Sequence, residues 1–226
     1  MKAFEKLPAE FQNPEVKRYY DKLKKKSVRI FFKRLLDIFL SLILLAFLII
    51  PIAVIAVVVK RDSKGSVFFR QKRVTKYGRV FRIFKFRTMV ENAEALGTSV
   101  TTGGDSRITK AGKFLRKYRL DELPQIFNVI SGDMSFVGVR PEVPKYVERY
   151  RDVYYATLLL PAGITSPASI LYKDESKLLA GDGDADKIYV EQILPEKMKY
   201  NLSYIKNFGF FRDIGLMIKT VVEVIK

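Results

Sequence analysis

The longest apolar segment of the chain runs from Leu42 to Val59 and contains no charged residue. At the rise of an α-helix, this segment is long enough to reach across the hydrocarbon core of a bilayer. A helix of this length in the core of a soluble protein would normally keep a polar face, and this segment has none. The pattern therefore predicts a helix that is inserted in a membrane.

The path of this helix through the membrane has two interpretations. Basic residues flank it on both sides, with Lys33–Arg34 before it and Lys60–Arg61 after it. Because positive charge is retained on the cytoplasmic side, both flanks are expected on the same side of the membrane. Pro51, near the middle, interrupts the helical hydrogen-bond pattern and bends the helix. These features favour a re-entrant hairpin. The length of the segment, however, suits a plain spanning helix equally well, so the sequence leaves both interpretations open.

Amphipathic patterns predict helices in other parts of the chain. Residues 1–33 are polar and basic, with apolar residues at helical spacing, and they are too long and too charged for the start of a signal peptide. A helix on the membrane surface is favoured here over a solvated arm. Further helices are predicted at 107–118, 144–160, 195–206 and 210–226, with a turn at 161–167. The last helix is apolar enough to pack on the protein or to lie on lipid.

One β-hairpin is predicted between residues 66 and 87. Two segments with strand-like patterns, 66–74 and 79–87, flank a turn that ends in Gly78. Aromatic and basic residues are interleaved in both strands. This pattern suits nucleic-acid binding, through base stacking and phosphate contacts, or a position at the level of lipid headgroups. The headgroup interpretation is favoured because the hairpin directly follows the membrane segment.

The composition narrows the chemistry that the chain can perform. Its 226 residues suggest one domain with an appendage, and a net charge of +17 in a chain that is 48% hydrophobic indicates anionic partners rather than disorder. No cysteine or histidine is present, which excludes thiolate chemistry, the commonest general base and the usual zinc site. Phosphoryl transfer suits the remaining groups, because it depends mostly on positioning and charge neutralisation.

An adjacent pair of carboxylates, Asp121–Glu122, is the main candidate for that chemistry. The pair follows a run of basic residues and precedes an apolar helix. In a purely structural interpretation, Asp121 caps the helix and Pro124 lies in its first turn. In a functional interpretation, the helix N-terminus favours phosphate, the carboxylates hold a hard cation, and one of them attacks phosphorus.

Several motifs, spread from about Lys33 towards the C-terminus, support the functional interpretation of the carboxylate pair. They are Lys33–Asp37, Phe84–Met89, Arg107–Thr109 with Gly112, Leu120–Gln125, Gly132–Gly138 and Arg140–Pro141. Each motif alone is weak, but their order and spacing are specific. In this combination the chain resembles the monotopic phosphoglycosyl transferases, the bacterial sugar transferase family.

The resemblance implies an enzyme that moves a sugar-1-phosphate from a UDP-sugar to polyprenyl (undecaprenyl) phosphate and releases UMP. This reaction is the first membrane step in building a bacterial surface glycan such as an exopolysaccharide. By position in the motif, Asp121 is the nucleophile that forms a covalent phosphosugar intermediate, and Glu122 with Asp121 holds Mg²⁺. The acceptor phosphate is already an anion, so no general base is needed, which agrees with the absence of histidine.

The resemblance also favours the re-entrant hairpin, broken at Pro51, with both ends in the cytoplasm. The predicted fold is then α+β and mostly helical, with a re-entrant membrane helix hairpin, interfacial amphipathic helices and a small β-hairpin. Its predicted divisions are a basic interfacial arm at 1–33, the membrane helix at 34–60 and a catalytic domain at 61–226. The protein is expected to be monotopic, on the cytoplasmic face of the bacterial inner membrane.

Five cationic residues are candidates for binding substrate phosphates: Arg87, Arg107, Arg119, Arg140 and Lys173. Arg140 has the clearest motif support, because the following proline favours an extended conformation at this position. Lys173 lies in a segment, 166–175, where many members carry an Asn-Gly-Arg motif that this chain lacks. The resemblance therefore does not extend to the identity of the sugar.

The expected partners are the UDP-sugar, the polyprenyl phosphate and the phospholipid membrane. No nucleic acid is expected, because no nucleic-acid-binding motif is recognisable, and a homodimer is left open. The alternative is a membrane-tethered anion-binding module or an inactive relative, and the intact Asp121–Glu122 pair argues against inactivity. Salt-dependent binding to polyanions without turnover of a sugar nucleotide would favour this alternative.

Overall fold

The computed structural model describes residues 1–93, 105–172 and 185–225, and most of these residues are helical. The α-helices are α1 (Pro14–Lys24), α2 (Ser27–Asp62), α3 (Lys110–Lys117), α4 (Gln125–Ser131), α5 (Pro144–Val147), α6 (Pro167–Leu171), α7 (Ala185–Ile188), α8 (Leu194–Lys206) and α9 (Phe210–Ile225). The strands are β1 (Phe68–Val74), β2 (Val80–Phe86), β3 (Met134–Val137) and β4 (Ala162–Thr165). Short 3-10 helices and one π-helix, Tyr189–Ile193, connect them.

The apolar segment forms α2, a helix of 36 residues that passes through Pro51. Among the described residues it is the one helix that is long and apolar enough to cross a membrane. Most of its large apolar side chains are exposed, Phe47 and Ile50 among them. The apolar helix is confirmed, whereas its re-entrant path, with a break at Pro51, stays a prediction.

The two ends of α2 contact the same body of the protein. Near its start, Arg34 donates hydrogen bonds to the carbonyl oxygens of Val129 and Ile130 at 2.6 and 2.9 Å. At its end, the Asp62 carboxylate accepts a hydrogen bond from the N–H of Ala111 at 3.0 Å. These contacts tie α2 to α4 at one end and to α3 at the other.

The predicted β-hairpin is confirmed. Strands β1 and β2 pair antiparallel, from Phe68 opposite Phe86 to Val74 opposite Val80. Tyr77 and Gly78, in the turn, have φ angles of 61° and 76°, so the chain reverses through the left-handed region that glycine adopts easily. Phe81 and Ile83, on one face of β2, are buried in a core cluster, and the opposite face carries the exposed Arg82.

A second, parallel pair of strands was not predicted. Residues 161–167 were expected to form a turn, but Ala162–Thr165 is strand β4, which pairs with β3. The pair closes tightly after β3, since a Cβ atom on Gly163 would lie 2.1 Å from the amide nitrogen of Gly138. Only glycine fits such a close approach of two backbones. The pair was not predicted because the local sequence pattern of β4 does not reveal that it pairs with β3, which is distant along the chain.

The predicted helix at 144–160 is wrong. Helix α5 ends at Val147, and a 3-10 helix, Asp152–Leu159, follows after a break. Residues 156–160 are all buried, because this segment is covered by both α1 and α8. A single amphipathic helix would have left one side of the segment facing water.

Helix α1 also differs from the expected membrane-surface helix. Its apolar residues Val16, Tyr20 and Leu23 are buried in the largest core cluster of the protein, together with Leu158 and Leu159. This apolar face is covered by protein, and it is therefore closed to lipid. Large apolar side chains are exposed later in the same arm, at Val28, Phe31 and Phe32, and on α9, at Phe211, Ile218, Val221 and Val222. The interfacial role of the arm at 1–33 stays a prediction.

Candidate functional site

The Asp121–Glu122 pair lies in a one-turn 3-10 helix, Leu120–Glu122, directly before α4. The preceding Arg119 has a φ of 56°, in the left-handed region, so the chain turns sharply as it leaves α3. Helix α4 begins after Pro124 without a side-chain cap. The N-cap interpretation of Asp121 is therefore wrong, and its carboxylate is not used to stabilise a helix end.

Glu122 is held by two cations. Its Oε1 atom accepts a hydrogen bond from Lys85 Nζ at 2.8 Å and another from Arg140 Nη2 at 2.7 Å. Burial alone favours the neutral form of this carboxyl, but the charges of Arg140 and Lys85 outweigh it and hold the pKa of Glu122 well below its usual range. Glu122 is therefore a fixed anion that orients two cations.

Asp121 differs from its neighbour in burial and in bonding. Only 8% of the residue is exposed, and none of the residues that the structure describes forms a hydrogen bond or ion pair with its carboxylate. Burial raises the pKa of Asp121, the charge of Lys85 partly offsets this, and the nearby Glu122 carboxylate raises it again. A poorly solvated, unpaired carboxylate beside a group of cations is suited to act as a nucleophile.

Asn128 fixes the strand that carries Lys85 relative to the carboxylates. Its side-chain oxygen accepts a hydrogen bond from the N–H of Phe84 at 2.8 Å, and its amide nitrogen donates to the carbonyl oxygen of Arg82 at 3.1 Å. These bonds pair α4 with the free edge of β2. Because Arg34 binds the carbonyl oxygens at the end of the same helix, α4 is anchored on both the strand and α2.

Two cations of the site were not singled out from the sequence. Lys85 occupies a position of β2 that alternates with the buried Phe81 and Ile83, and a lysine on the buried face of a strand is a signal that could have identified it. Arg116 donates from Nε to the hydroxyl of Thr88 at 2.8 Å. Its charge also lowers the pKa of Asp121.

Of the predicted phosphate-binding residues, the structure brings Arg140 to the carboxylate pair. Arg87 is buried and donates to the carbonyl oxygen and hydroxyl of Ser63 at 2.7 and 3.0 Å, so it holds the chain at the end of α2. Arg107 forms a fork on Asp105 and also reaches the carbonyl oxygen of Ala93.

Three predicted site residues remain: Arg119, Lys173 and Pro51. Arg119 is half-buried in the turn before the pair. Lys173 lies outside the described residues, and Pro51 lies within α2. The roles of Arg87, Arg107, Arg119 and Lys173 in phosphate binding stay predictions.

The carboxylate pair is compatible with Mg²⁺. Among the described residues there is no cluster of three or more metal-binding side chains. Mg²⁺ in phosphoryl-transfer sites, however, is commonly held by one or two carboxylates together with substrate phosphates. Asp121 and Glu122 meet this requirement, since no described residue pairs with the Asp121 carboxylate and it is Oε1 of Glu122 that accepts the bonds from Lys85 and Arg140.

Comparison with known proteins yields relatives along most of the chain. The profile of the family described as bacterial sugar transferase matches residues 28–226. A UDP-N-acetylgalactosamine-undecaprenyl-phosphate N-acetylgalactosaminephosphotransferase of Aeromonas hydrophila is 37% identical over 194 residues, which are 84% of this chain and 43% of that protein. A UDP-glucose:undecaprenyl-phosphate glucose-1-phosphate transferase of Klebsiella pneumoniae is 36% identical over 198 residues, 86% of this chain and 40% of that protein.

A third relative is similar over more of the chain. An undecaprenyl-phosphate galactose phosphotransferase of Salmonella typhimurium is 31% identical over 224 residues, 92% of this chain and 43% of that protein. The chain thus spans less than half the length of these three curated relatives.

Proposed function

Since the chain belongs to the bacterial sugar transferase family, we propose that it transfers a sugar-1-phosphate from a UDP-sugar to undecaprenyl phosphate and releases UMP. The names of its relatives share the undecaprenyl-phosphate acceptor and differ in the sugar. The observation that carries the proposal is the buried Asp121 carboxylate, which no described residue pairs with, beside Glu122 and its two cations.

In the proposed first step, an Asp121 carboxylate oxygen attacks the phosphorus that bears the sugar. A bond forms between Asp121 and this phosphorus, the bond to the bridging oxygen breaks, and UMP leaves with its electrons. In the second step, a phosphate oxygen of the acceptor attacks the same phosphorus, and the Asp121 carboxylate leaves. The product is the lipid diphosphate sugar, and no proton has to be removed from the attacking group in either step.

The residues around Asp121 supply the charge that this chemistry needs. Lys85 and Arg140 already lie on one carboxylate oxygen, so they can turn to phosphate oxygens as negative charge develops. Arg116 adds a third positive charge near Asp121. Mg²⁺, held by Asp121 and Glu122, would neutralise the diphosphate of the donor and assist the departure of UMP.

The proposed membrane arrangement is re-entrant, with both ends of α2 on the cytoplasmic face. Its support is that Arg34 and Asp62, near the two ends, are both hydrogen-bonded to the body that carries the carboxylates. Helices packed near each end also expose apolar side chains, with Phe211 on α9 and Phe114 on α3. A bilayer surface that contacts both helices would leave α2 as the deepest part of the protein.

Labelling of single cysteines tests this arrangement, because the chain has no cysteine of its own. Lys24→Cys and Lys64→Cys place one thiol beyond each end of α2. Both are expected to stay unlabelled by a membrane-impermeant maleimide in intact spheroplasts and to react in inverted vesicles. Ile50→Cys is the control, protected in both until detergent is added. Labelling of one terminal thiol in spheroplasts would instead indicate a spanning helix.

Measurement of UMP release tests the reaction itself. The detergent-purified protein is given undecaprenyl phosphate, Mg²⁺ and a panel of UDP-N-acetylgalactosamine, UDP-glucose and UDP-galactose. We expect sustained UMP release with at least one donor, release limited to a single turnover when the acceptor is omitted, and none without Mg²⁺. Salt-dependent binding to anionic lipid without release from any UDP-sugar would favour the anion-binding module.

A further inference from the structure

A buried glutamate directly follows the Arg140–Pro141 pair. Glu142 is 6% exposed, and its Oε1 atom accepts a hydrogen bond from the hydroxyl of Tyr189 at 2.7 Å. Lys197 Nζ donates to the same carboxylate oxygen at 3.3 Å and to the Tyr189 oxygen at 2.8 Å. We call Glu142, Tyr189 and Lys197 the Glu142 cluster.

The Glu142 cluster lies in a buried part of the protein. Tyr189, at the start of the π-helix, belongs to a core cluster with Leu194 and Met198 of α8. Lys197 is buried as well, so removal of either group would take from the other a bond that offsets the cost of burying its charge. Burial favours the neutral form of Glu142, but the charge of Lys197 and the Tyr189 hydrogen bond hold its pKa below the usual range.

Strand β1 holds the backbone of the same segment from the other side. Arg73 donates from Nη1 to the carbonyl oxygen of Pro141 at 3.0 Å, and the N–H of Val74 donates to the carbonyl oxygen of Glu142 at 2.9 Å. The two residues after Arg140 are thus fixed through their backbone by β1 and through the Glu142 side chain by α8 and the π-helix.

The Arg140 side chain itself is 30% exposed, so burial does not fix its direction. Its position depends on the backbone from which it extends as well as on its side-chain bonds, the one to Glu122 among them. We propose that the Glu142 cluster positions Arg140 on the carboxylate pair, so that the C-terminal part of the chain supports phosphate binding without touching the substrate. This inference rests on the proposed function of the site, and it assigns Glu142, Tyr189 and Lys197 as positioning residues.

Tyr189→Phe tests the inference with the smallest change, because removal of Glu142 or Lys197 leaves a buried charge that can prevent folding. The variant loses the hydroxyl that is hydrogen-bonded to both Glu142 and Lys197, and it keeps the ring in the core. We expect kcat/KM for the UDP-sugar to fall about tenfold, mainly through a higher KM, as for residues coupled in one network. Tyr146→Phe is the matched control, since its ring packs on Tyr189 but its hydroxyl binds Asp186, and its kcat/KM should change less than about twofold.

A double-mutant cycle with Arg140→Lys separates positioning from general stabilisation. If the Glu142 cluster acts through Arg140, the Tyr189→Phe penalty on kcat/KM shrinks below about twofold once Arg140 has been replaced. Equal penalties in the two backgrounds would overturn the inference. For variants too slow to assay, the affinity for UDP measured by calorimetry replaces kcat/KM in the same cycle.

Failure of the proposed function gives a different result from failure of this inference. Wild-type protein that releases UMP, with additive effects of Tyr189→Phe and Arg140→Lys, would contradict only the positioning role. If the wild-type protein releases no UMP, the midpoints of thermal unfolding of the wild type, the two single variants and the double variant still test whether Tyr189 and Arg140 are linked. Non-additive midpoints support an energetic link between Tyr189 and Arg140, and additive midpoints overturn it.

Discussion

Replacement of Asp121 by asparagine is expected to lower turnover by roughly 10⁴-fold or more, the scale seen when a nucleophile is removed. The amide has nearly the same shape as the carboxylate but cannot form the covalent bond to phosphorus. UMP release measures the rate, and the mass of the intact protein after incubation with donor alone measures the intermediate. The phosphosugar adduct should be present on the wild-type protein and absent from the variant.

The control for this experiment is Asp152→Asn, the same chemical change at an exposed aspartate. It should leave the rate and the adduct unchanged. Turnover near the wild-type rate in Asp121→Asn, or an adduct that persists in it, would contradict the nucleophilic role.

Stability gives a second readout for the same variant. Burial raises the pKa of Asp121, so its ionised form is less favourable in the folded than in the unfolded state. At neutral pH the group therefore destabilises the fold, and this cost disappears as the pH falls below its raised pKa. Asp121→Asn should consequently melt at the same temperature as the wild-type protein or higher at neutral pH, and loss of activity cannot then be attributed to unfolding.

Replacement of Lys85 by methionine is expected to lower kcat/KM by about 10²–10³-fold, as for other preorganised charges in catalytic sites. Methionine keeps the apolar stem of the side chain and removes the ammonium group from Glu122. Lys72→Met is the matched control, because Lys72 is an exposed lysine on the paired strand β1. It should retain activity within about threefold, since surface charges contribute little.

The pH profile distinguishes an electrostatic role of Lys85 from a structural one. Asp121 must be ionised to attack, and its pKa is raised by burial and lowered by the charge of Lys85. Loss of the Lys85 charge should therefore move the acidic limb of kcat/KM to higher pH in Lys85→Met than in the wild-type protein. A slow variant whose acidic limb stays in place would show that Lys85 acts only through packing.

The elements that the sequence predicts correctly are those with a strong local pattern. The apolar run of α2, the β1–β2 hairpin and helices α8 and α9 each follow from residues that are close in the chain. The β3–β4 pair and the break after α5 depend on burial by distant segments. The spacing of apolar residues within one segment does not show this burial.

In the candidate site, too, some residues could be predicted from the local sequence and others could not. The sequence motif identifies Asp121, Glu122 and Arg140, and the structure brings the three together. Lys85 lies within the Phe84–Met89 motif, but the motif does not mark it as a site residue, because its importance comes from its place on the buried face of β2. The charge of Arg87 predicts phosphate binding, yet in the structure its side chain holds Ser63 after α2. A cation in a motif can serve the chemistry or the fold, and only its neighbours distinguish the two.

The closeness of Lys85 and Arg87 has a consequence for the acceptor. One side chain binds Glu122 and the other binds the end of the membrane helix, and two residues of extended chain cover only about 7 Å. Under the proposed reaction, an acceptor with its phosphate at the membrane surface is already within reach of the carboxylates while its tail remains among the lipids. The bilayer then forms one side of the active site, and the apolar tail of the acceptor does not have to leave the lipid for the reaction to occur.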